Sequence, residues 1–284
     1  MVSTEISPQV RATQVDPRFS HIPDRNSLGE KTRNATNQII SNLIDVTYSG
    51  EENLHALNEG GIITGFPHTS HIDTVVIAQM MRQWAKEDGS AEADDMLARL
   101  TFLAAADYWF PHAEPNVLKK PLLVIRNFIA QTVIRMLPME RKVKGSKTEQ
   151  KKIIDENTQA IAHYIDIGGI AAVYPNGTRI APNIPVSDQE IKSGLGSIAL
   201  MNPSKPIVPV HIRNSTDIWP SGTMLPRLSK KENKVQVVVG EPIIISDYVS
   251  VPDTLTTLSA SDKGALRKVV NRILLDAYSD LENR

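Results

Sequence analysis

The stretch GGIITGFPHTSHIDTVVIAQMMRQW, residues 60–84, joins a short apolar run to a helical pattern. Two glycines introduce IITGF, which has the length and composition of a buried strand. The segment 72–85 has apolar residues on most sides of a helix, which predicts a largely buried helix. Between these elements His68, His71 and Asp73 fall within six residues, where a strand gives way to a helix.

The histidine and aspartate of this stretch are suited to act together. Because His68 follows the strand and Asp73 lies in the first turn of the helix, both side chains can face the crevice at the strand's carboxyl end, where open α/β sheets bind ligands. An aspartate bonded to an imidazole fixes its tautomer and stabilises its protonated form, so His68 is a candidate general base. The chain has no G-x-S-x-G motif and no cysteine, so this base would act on a hydroxyl or water without a covalent enzyme intermediate.

Two other interpretations of these residues stay open. Ser70 and Asp73 have the spacing of a capping box, in which Asp73 would only satisfy helix amides. The set His68, His71 and Asp73 also suits zinc, which would make the protein a metal-dependent hydrolase. Its H-x-x-H-x-D spacing matches neither the H-x-H-x-D-H of binuclear metallohydrolases nor H-E-x-x-H, so we expect no metal.

Strand and helix patterns alternate along the rest of the chain. This alternation predicts an α/β fold with a mixed, largely parallel sheet flanked by helices. The periodicity predicts further strands at 101–110, 168–174, 205–212 and 234–240, and an acidic surface loop at 87–95. It predicts helices at 121–137 and from Ser146 to about Ile165, the second behind a capping box of Ser146 with Glu149. A C-terminal helix is predicted from about Asp262, with one apolar stripe formed by Leu266, Val269, Val270, Ile273, Leu274, Ala277 and Leu281.

The domain organisation follows from the same patterns. Residues 1–27 carry three prolines among polar residues and are predicted to form an extended arm. Residues 28–58 are predicted to be a small helical segment, with an amphipathic helix that extends to about Tyr48. An α/β core at 59–250 and a C-terminal helix at 262–282 complete a domain that spans 28–284.

Composition excludes several classes of protein. The formal net charge of −1 gives no global attraction for nucleic acid, and the absence of cysteine excludes disulfides and thiolate metal sites. The N-terminus lacks the basic start and apolar region of a signal peptide, and no window of about 18 apolar residues suggests a membrane span. We expect a soluble or peripheral protein.

Four ordered blocks of the chain resemble those of the glycerolipid acyltransferase family, the glycerol-3-phosphate and lysophosphatidic acid acyltransferases. PHTSHID matches the family's H-x4-D block, and VYPNGTR at 173–179 resembles its F-P-E-G-T-R block. KSGLGSIALMNPSKPIVPVHI at 192–212 is similar to its lysine-x-glycine segment followed by V-P-V-x-I, and VVVGEPI at 237–243 resembles its closing strand. Order and spacing agree from about residue 54 to 245.

The resemblance implies an O-acyltransferase that moves a fatty acyl group from a coenzyme A or acyl-carrier-protein thioester to a hydroxyl of glycerol-3-phosphate or lysophosphatidic acid. It implies His68 as the base that takes the hydroxyl proton and Asp73 as its orienting group, with no cofactor. A guanidinium fork matches phosphate oxygens, so Arg179 is implied as a phosphate ligand. The residues implied for the acceptor phosphate are Arg141, Asn176, Gly177, Thr178 and Arg179, and those implied to support the site are Ser70, His71 and Lys192.

Two residues depart from the family's pattern. Asn176 stands where the family usually has glutamate, and Pro67 where it usually has asparagine before the histidine. The first change removes a charge beside the acceptor, so an acyltransferase with a different hydroxyl acceptor is the alternative within this class. A non-catalytic lipid-binding protein that keeps the fold is a third interpretation.

The sequence also indicates candidate partners. Residues 141–152 contain six basic residues and one acidic residue, which suits either a solvated helix face or a patch for a phosphate, an acidic acyl carrier protein or an anionic membrane surface. Many relatives carry an N-terminal membrane helix, but polar and charged residues interrupt the equivalent region at 28–48. We expect a cytoplasmic or plastid-like soluble location, with peripheral membrane contact as a candidate and no nucleic-acid partner.

Overall fold

The computed structural model describes residues 44–70, 72–105, 136–139, 146–181, 184–219, 234–252 and 258–284. Within these ranges eight strands form one sheet, in the order β1-β7-β6-β2-β5-β3-β4, and β8 pairs with β6 beside β7. The strands are β1 Asp45–Ser49, β2 Gly61–Phe66, β3 Leu100–Ala105, β4 Met136–Met139, β5 Ile170–Val173, β6 Pro206–Arg213, β7 Lys234–Val239 and β8 Ile243–Ile244.

The sheet is mixed and largely parallel, which confirms the predicted fold class. Strands β6, β2, β5, β3 and β4 run parallel to one another, β7 and β8 run antiparallel to β6, and β1 pairs parallel with β7. Strand β2 lies between β5 and β6, and all six of its residues are buried. A strand covered on both faces has no solvent side, which explains why GIITGF lacks a polar alternation.

Helices cover both faces of the sheet. On one face α1 (Asp73–Asp88) and α2 (Ala91–Arg99) contribute to one apolar core, which also contains Ile63 of β2. On the other face α3 (Lys147–Asp166), α4 (Ser193–Met201) and α6 (Ala260–Glu282) contribute to a second core with Ile62. A short helix, α5 (Ser215–Ile218), follows β6.

The helix start predicted at Ser146 is confirmed, and the C-terminal helix begins two residues before the predicted Asp262. The Ser146 hydroxyl accepts from the Glu149 amide, and the Glu149 carboxylate accepts from the Ser146 amide, which completes the capping box of α3. The Ser259 hydroxyl accepts from the Asp262 amide at 3.1 Å and caps α6, which begins at Ala260.

The predicted apolar stripe of the C-terminal helix is only partly correct. Val270, Leu274 and Leu281 are buried as expected, whereas Val269 is 45% exposed. Tyr278 takes part in the buried face instead, and its ring stacks on Phe66 of β2. The face of α6 that packs against the rest of the protein is therefore narrower than the apolar pattern predicts.

Three predicted elements need correction where the structure describes them. The amphipathic helix predicted to reach Tyr48 is wrong at its end, because residues 45–49 form edge strand β1, with Val46 buried. The acidic loop predicted at 87–95 contains the start of α2, which Ser90 caps and whose acidic residues are on its solvent side. The helix predicted at 121–137 is wrong at 136–137, which begin β4, and residues 121–135 lie outside the described ranges.

The N-terminal predictions are mostly untested. The extended arm at 1–27 and the beginning of the helical segment, up to residue 43, lie outside the described ranges. The segment 51–59 is a 3-10 helix, which partly agrees with the predicted helical character of 28–58. Among the described residues, no helix has both the length and the apolar character that crossing a bilayer requires.

A buried histidine in β6 gives the fold a dependence on pH. Burial and, to a lesser extent, the positive charge of Arg213 lower the pKa of His211 from 6.5 to about 4. The unfolded chain therefore binds a proton more readily than the folded chain, so the stabilising effect of a neutral His211 is present above about pH 6.5 and is lost as the pH falls toward 4.

We expect replacement His211→Gln to reduce the loss of stability between pH 7 and pH 4.5. The measurement is the free energy of unfolding in urea at several pH values, for wild type and variant. An equally steep pH dependence in His211→Gln would contradict this role of His211.

Candidate active site

Three neighbouring strands end at the same edge of the sheet, and their following loops form the candidate site. Strand β2 leads into the loop before α1, β5 leads into the turn at 174–179, and β6 leads into α5. Thr64 pairs with Val173 across β2 and β5, and Phe66 pairs with His211 across β2 and β6. This register places residues more than 100 positions apart in one crevice at the carboxyl end of β2.

His68 and Asp73 meet as the sequence predicts. The His68 Nδ1 atom lies 2.8 Å from the Asp73 Oδ2 atom, with the Asp73 side chain fully buried and that of His68 17% exposed. Because a carboxylate has no proton to donate, Nδ1 is the donor. The neutral ring then keeps its lone pair on Nε2, which is the arrangement that a general base requires.

The same carboxylate oxygen also organises the loop before α1. Asp73 Oδ2 accepts the backbone amides of Thr69 and Ser70, each at 2.9 Å, in addition to His68. These amides belong to the loop, since α1 begins at Asp73 and Ile72 is at its N-cap position, so the interpretation in which Asp73 only satisfies helix amides is wrong. Its other oxygen, Oδ1, is buried and has no hydrogen-bond partner among the described residues.

Ser70 supports this loop from the side. Its hydroxyl donates to the Trp219 carbonyl at 2.7 Å, and it accepts from the Ile72 amide at 3.2 Å. Trp219 directly follows α5, so Ser70 ties the loop after β2 to the segment after β6. The expectation that Ser70 has a supporting place near the pair agrees with this geometry.

Tyr174 contacts the histidine directly, a role that the sequence analysis does not predict. Its ring stacks on the His68 imidazole, with the centroids 4.0 Å apart and the planes inclined by 18°. Burial and the negative charge of Asp73 raise the pKa of Tyr174 well above its ordinary value, and its buried hydroxyl has no hydrogen-bond partner among the described residues. The phenol therefore stays neutral. The sign available in the sequence was an aromatic residue directly before PNGT, at the end of the strand predicted at 168–174.

The turn after β5 is closed by a glycine. Gly177 has a φ of 67°, a left-handed conformation that favours glycine, and its amide donates to the Tyr174 carbonyl at 2.9 Å. The predicted part of Gly177 in binding the acceptor phosphate stays a prediction. Thr178 is exposed and Arg179 is partly exposed at the outer side of this turn.

Lys192 packs beside the same turn. Its backbone amide donates to the Pro175 carbonyl at 2.9 Å, and its side chain runs past Gly177 to pair with the Glu190 carboxylate. Lys192 precedes α4 and is exposed. It therefore holds the turn through its backbone, and its side chain lies against Gly177.

Asn176 is an internal link between three loops. It is 3% exposed, and its Oδ1 atom lies 3.4 Å from the His68 backbone amide, which donates to it. Its Nδ2 atom donates to Gln189 Oε1 at 3.3 Å and to the Glu190 carbonyl at 3.2 Å. Both ends of this amide are engaged within the protein and connect Asn176 with His68, and its predicted contact with the acceptor stays a prediction.

Two of the predicted site residues cannot be placed. His71 and Arg141 lie outside the described residues, so their predicted roles stay predictions. Within the described ranges no group of three or more histidine, aspartate or glutamate side chains is arranged to hold a metal ion. Because His71 is not described, the three-residue metal interpretation is not tested by the structure.

The basic stretch is described only in part. Lys147, Lys151 and Lys152 are exposed on the first turns of α3, and Lys152 pairs with Glu156 at 3.8 Å, one turn further along. Such a pair on an exposed helix surface contributes little to stability. Residues 141–145 lie outside the described ranges, so the proposed anion-binding patch is not tested.

Comparisons with known proteins give a limited result. No family model matches the chain, and no curated protein matches it. The structure is similar to the crystal structure of the 1-acyl-sn-glycerophosphate (LPA) acyltransferase PlsC from Thermotoga maritima, with a TM-score of 0.46 and 18% sequence identity over 94% of this chain and 88% of that one. A likeness at this level does not establish a family.

The contacts of Asn176 predict the effect of making it acidic. We expect Asn176→Asp to lower the free energy of unfolding by about 2–3 kcal/mol, because a buried carboxylate would face two carbonyl oxygens and lose both donated hydrogen bonds. Urea unfolding at pH 7 measures this effect. The same replacement at exposed Asn58 is the control, with an expected change below about 0.5 kcal/mol. Equal effects at the two positions would show that the Asn176 contacts do not form.

Proposed function

We propose that this protein is an O-acyltransferase that moves a fatty acyl group from a thioester of coenzyme A or acyl carrier protein to a hydroxyl of glycerol-3-phosphate or lysophosphatidic acid. The observation that carries the proposal is the His68–Asp73 pair, with Nδ1 and Oδ2 at 2.8 Å, at the carboxyl end of a parallel strand. The four ordered sequence blocks that resemble the glycerolipid acyltransferases support the same reaction.

The proposed reaction needs one base and a well-placed pair of substrates. His68 Nε2 takes the proton of the acceptor hydroxyl, whose oxygen forms a bond to the thioester carbonyl carbon. The carbon–sulfur bond then breaks, and the leaving thiolate takes the proton back from His68, so the products are an ester and a free thiol. Asp73 stabilises the imidazolium between these steps. A general base of this kind contributes roughly 10²–10⁴-fold to a rate.

The thioester is already activated, so positioning supplies much of the remaining acceleration. The imidazole itself is well held, since Asp73 fixes one ring nitrogen and Tyr174 covers a ring face. This arrangement requires no cofactor beyond the thioester donor, and the proposal includes no metal.

We assign the acceptor phosphate to the outer side of the turn after β5. Arg179 offers a planar guanidinium for two phosphate oxygens, Thr178 offers an exposed hydroxyl and amide, and the Lys192 side chain lies close by. Arg141 is proposed as a further ligand on the strength of the sequence resemblance alone. Asn176 contributes by holding the turn, so its replacement of the family's glutamate need not change which acceptor binds.

The decisive experiment is thiol release from a panel of acyl-coenzyme A and acyl-carrier-protein donors, with glycerol-3-phosphate, lysophosphatidic acid or no acceptor. We expect acceptor-dependent release that His68→Ala lowers by at least about 10²-fold, because the base is lost. His55→Ala, at a half-exposed histidine on the 3-10 helix at 51–59, is the matched control and should keep full activity.

The outcomes of this assay separate the competing interpretations. Release without any acceptor would identify a hydrolase, and loss of that release with chelator would support the metal-dependent form built on His68, His71 and Asp73. Acceptor-dependent release that survives in His68→Ala would contradict the proposed mechanism. A protein that binds acyl donors but releases no thiol with any acceptor would support a lipid-binding function.

Replacement Arg179→Ala tests the phosphate site separately. We expect the KM for the acceptor to rise about 10- to 100-fold, since a charged hydrogen bond to phosphate is lost, while the KM for the donor changes less than about twofold. Arg179→Lys keeps the positive charge but loses the planar guanidinium, so its KM for the acceptor should lie between that of the wild type and that of Arg179→Ala. Equal increases in both KM values would contradict a role in phosphate binding.

A further inference from the structure

We propose that Tyr174 is a positioning residue that sets the orientation of His68 by stacking on its imidazole. This inference rests on the proposed function, because it assigns His68 the catalytic proton transfer. It adds Tyr174, which directly follows β5, to a pair formed by the loop after β2 and the first residue of α1.

The stacking restricts the tilt of the imidazole ring, which the hydrogen bond to Asp73 alone does not fix. A single hydrogen bond from Nδ1 to Asp73 Oδ2 fixes one atom of the imidazole, about which the ring can still tilt. Tyr174 lies against the face of that ring at 4.0 Å between centroids and 18° between planes. One edge contact and one face contact together define the plane, and so the direction in which the Nε2 lone pair points.

The sequence of β2 makes room for this contact. Gly65 lies next to the Tyr174 ring, and a Cβ atom at that position would come within 2.6 Å of a Tyr174 ring carbon and 2.7 Å of Ile77 Cδ1. Gly65 adopts no left-handed conformation in the structure, so space and not backbone strain accounts for the glycine. Glycine inside a strand often marks a close approach of another group, and here that group is the tyrosine ring.

The aromatic face carries the proposed effect, not the hydroxyl. Beside the His68 ring lie Asp73, the first residue of α1, and Tyr174, which directly follows β5. Burial of its hydroxyl keeps Tyr174 a neutral phenol. Phenylalanine would keep the same face and edge distribution of charge. A non-aromatic side chain would fill the space without defining a plane.

The experiment compares Tyr174→Phe with Tyr174→Leu and Tyr174→Met in the full chain, with acyl transfer measured at saturating donor and acceptor. We expect Tyr174→Phe to keep kcat within about threefold of wild type. We expect the Leu and Met variants to lose about 10- to 100-fold in kcat with little change in either KM, because a catalytic group misplaced by about 1 Å costs up to about that factor. The Met variant fills the site flexibly if the Leu variant folds poorly.

Tyr164→Leu is the matched control. Tyr164 of α3 is a buried tyrosine whose ring, like that of Tyr174, packs over a glycine. That glycine is Gly169, which directly precedes β5, at the end of the strand away from His68. Tyr164→Leu should lower the temperature of unfolding in the way that loss of a buried ring does, without a loss of kcat at a temperature where the protein is folded. A similar loss of kcat in Tyr164→Leu would show that the effect is general destabilisation.

A second readout does not depend on turnover. The imidazole Nδ1–H proton of His68, identified by its absence from the NMR spectrum of His68→Gln, should be present in wild type and in Tyr174→Phe. In the Leu and Met variants we expect it to broaden or disappear. If wild type shows no acyl transfer, the proposed function fails while this spectrum still tests the position of His68.

Two results would overturn the inference. Full kcat together with an unchanged Nδ1–H signal in both the Leu and the Met variants would show that Asp73 alone orients the ring. A loss in Tyr174→Phe as large as that in Tyr174→Leu would assign the effect to the hydroxyl and not to the stacked ring.

Discussion

One buried carboxylate oxygen holds the candidate site together. Asp73 Oδ2 accepts three hydrogen bonds, from His68 Nδ1 and from the amides of Thr69 and Ser70, on a side chain with no exposed area. A buried carboxylate is costly unless donors surround it, and here the donors are the loop itself. The loop before α1 therefore closes around Asp73, and the orientation of the imidazole follows from that closure.

Segments that follow the neighbouring strands also hold this loop in place. The His68 backbone is bound from the turn after β5 at both its polar groups, since its amide donates to Asn176 and its carbonyl accepts from Ile180 at 2.8 Å. Ser70 is bound from the other side, by the Trp219 carbonyl after α5. The histidine is thus fixed through its backbone, its ring edge and its ring face, which is the preorganised geometry that the proposed acyl transfer requires.

The sequence predicted those parts that depend on local pattern. The strand and helix around His68, the capping box at Ser146 and the pairing of His68 with Asp73 all follow from residues within about one helical turn of each other. The prediction was wrong at Val46 and in α2, where a short apolar run and an acidic solvent face fit more than one element.

Other features depend on which strands are neighbours, and local pattern does not contain that information. Tyr174 reaches His68 only because β5 lies beside β2, with Thr64 opposite Val173. The use of the Gly177 amide within its own turn is a matter of turn geometry, and the internal engagement of Asn176 depends on where residues 189 and 190 lie. A motif match names these residues without showing which way their groups point.

The pairing of β2 with β5 has a consequence for how the chain folds. The hydrogen bond from His68 to Asn176 joins residues 108 positions apart, and Ser70 and Trp219 are 149 positions apart. Such distant contacts close large loops, and the chain loses conformational entropy on closing a loop before the contacts can compensate for that loss. The crevice around His68 is therefore absent from any folding intermediate in which only local helices and turns have formed. Its completed geometry marks the point at which the central strands have found their native neighbours.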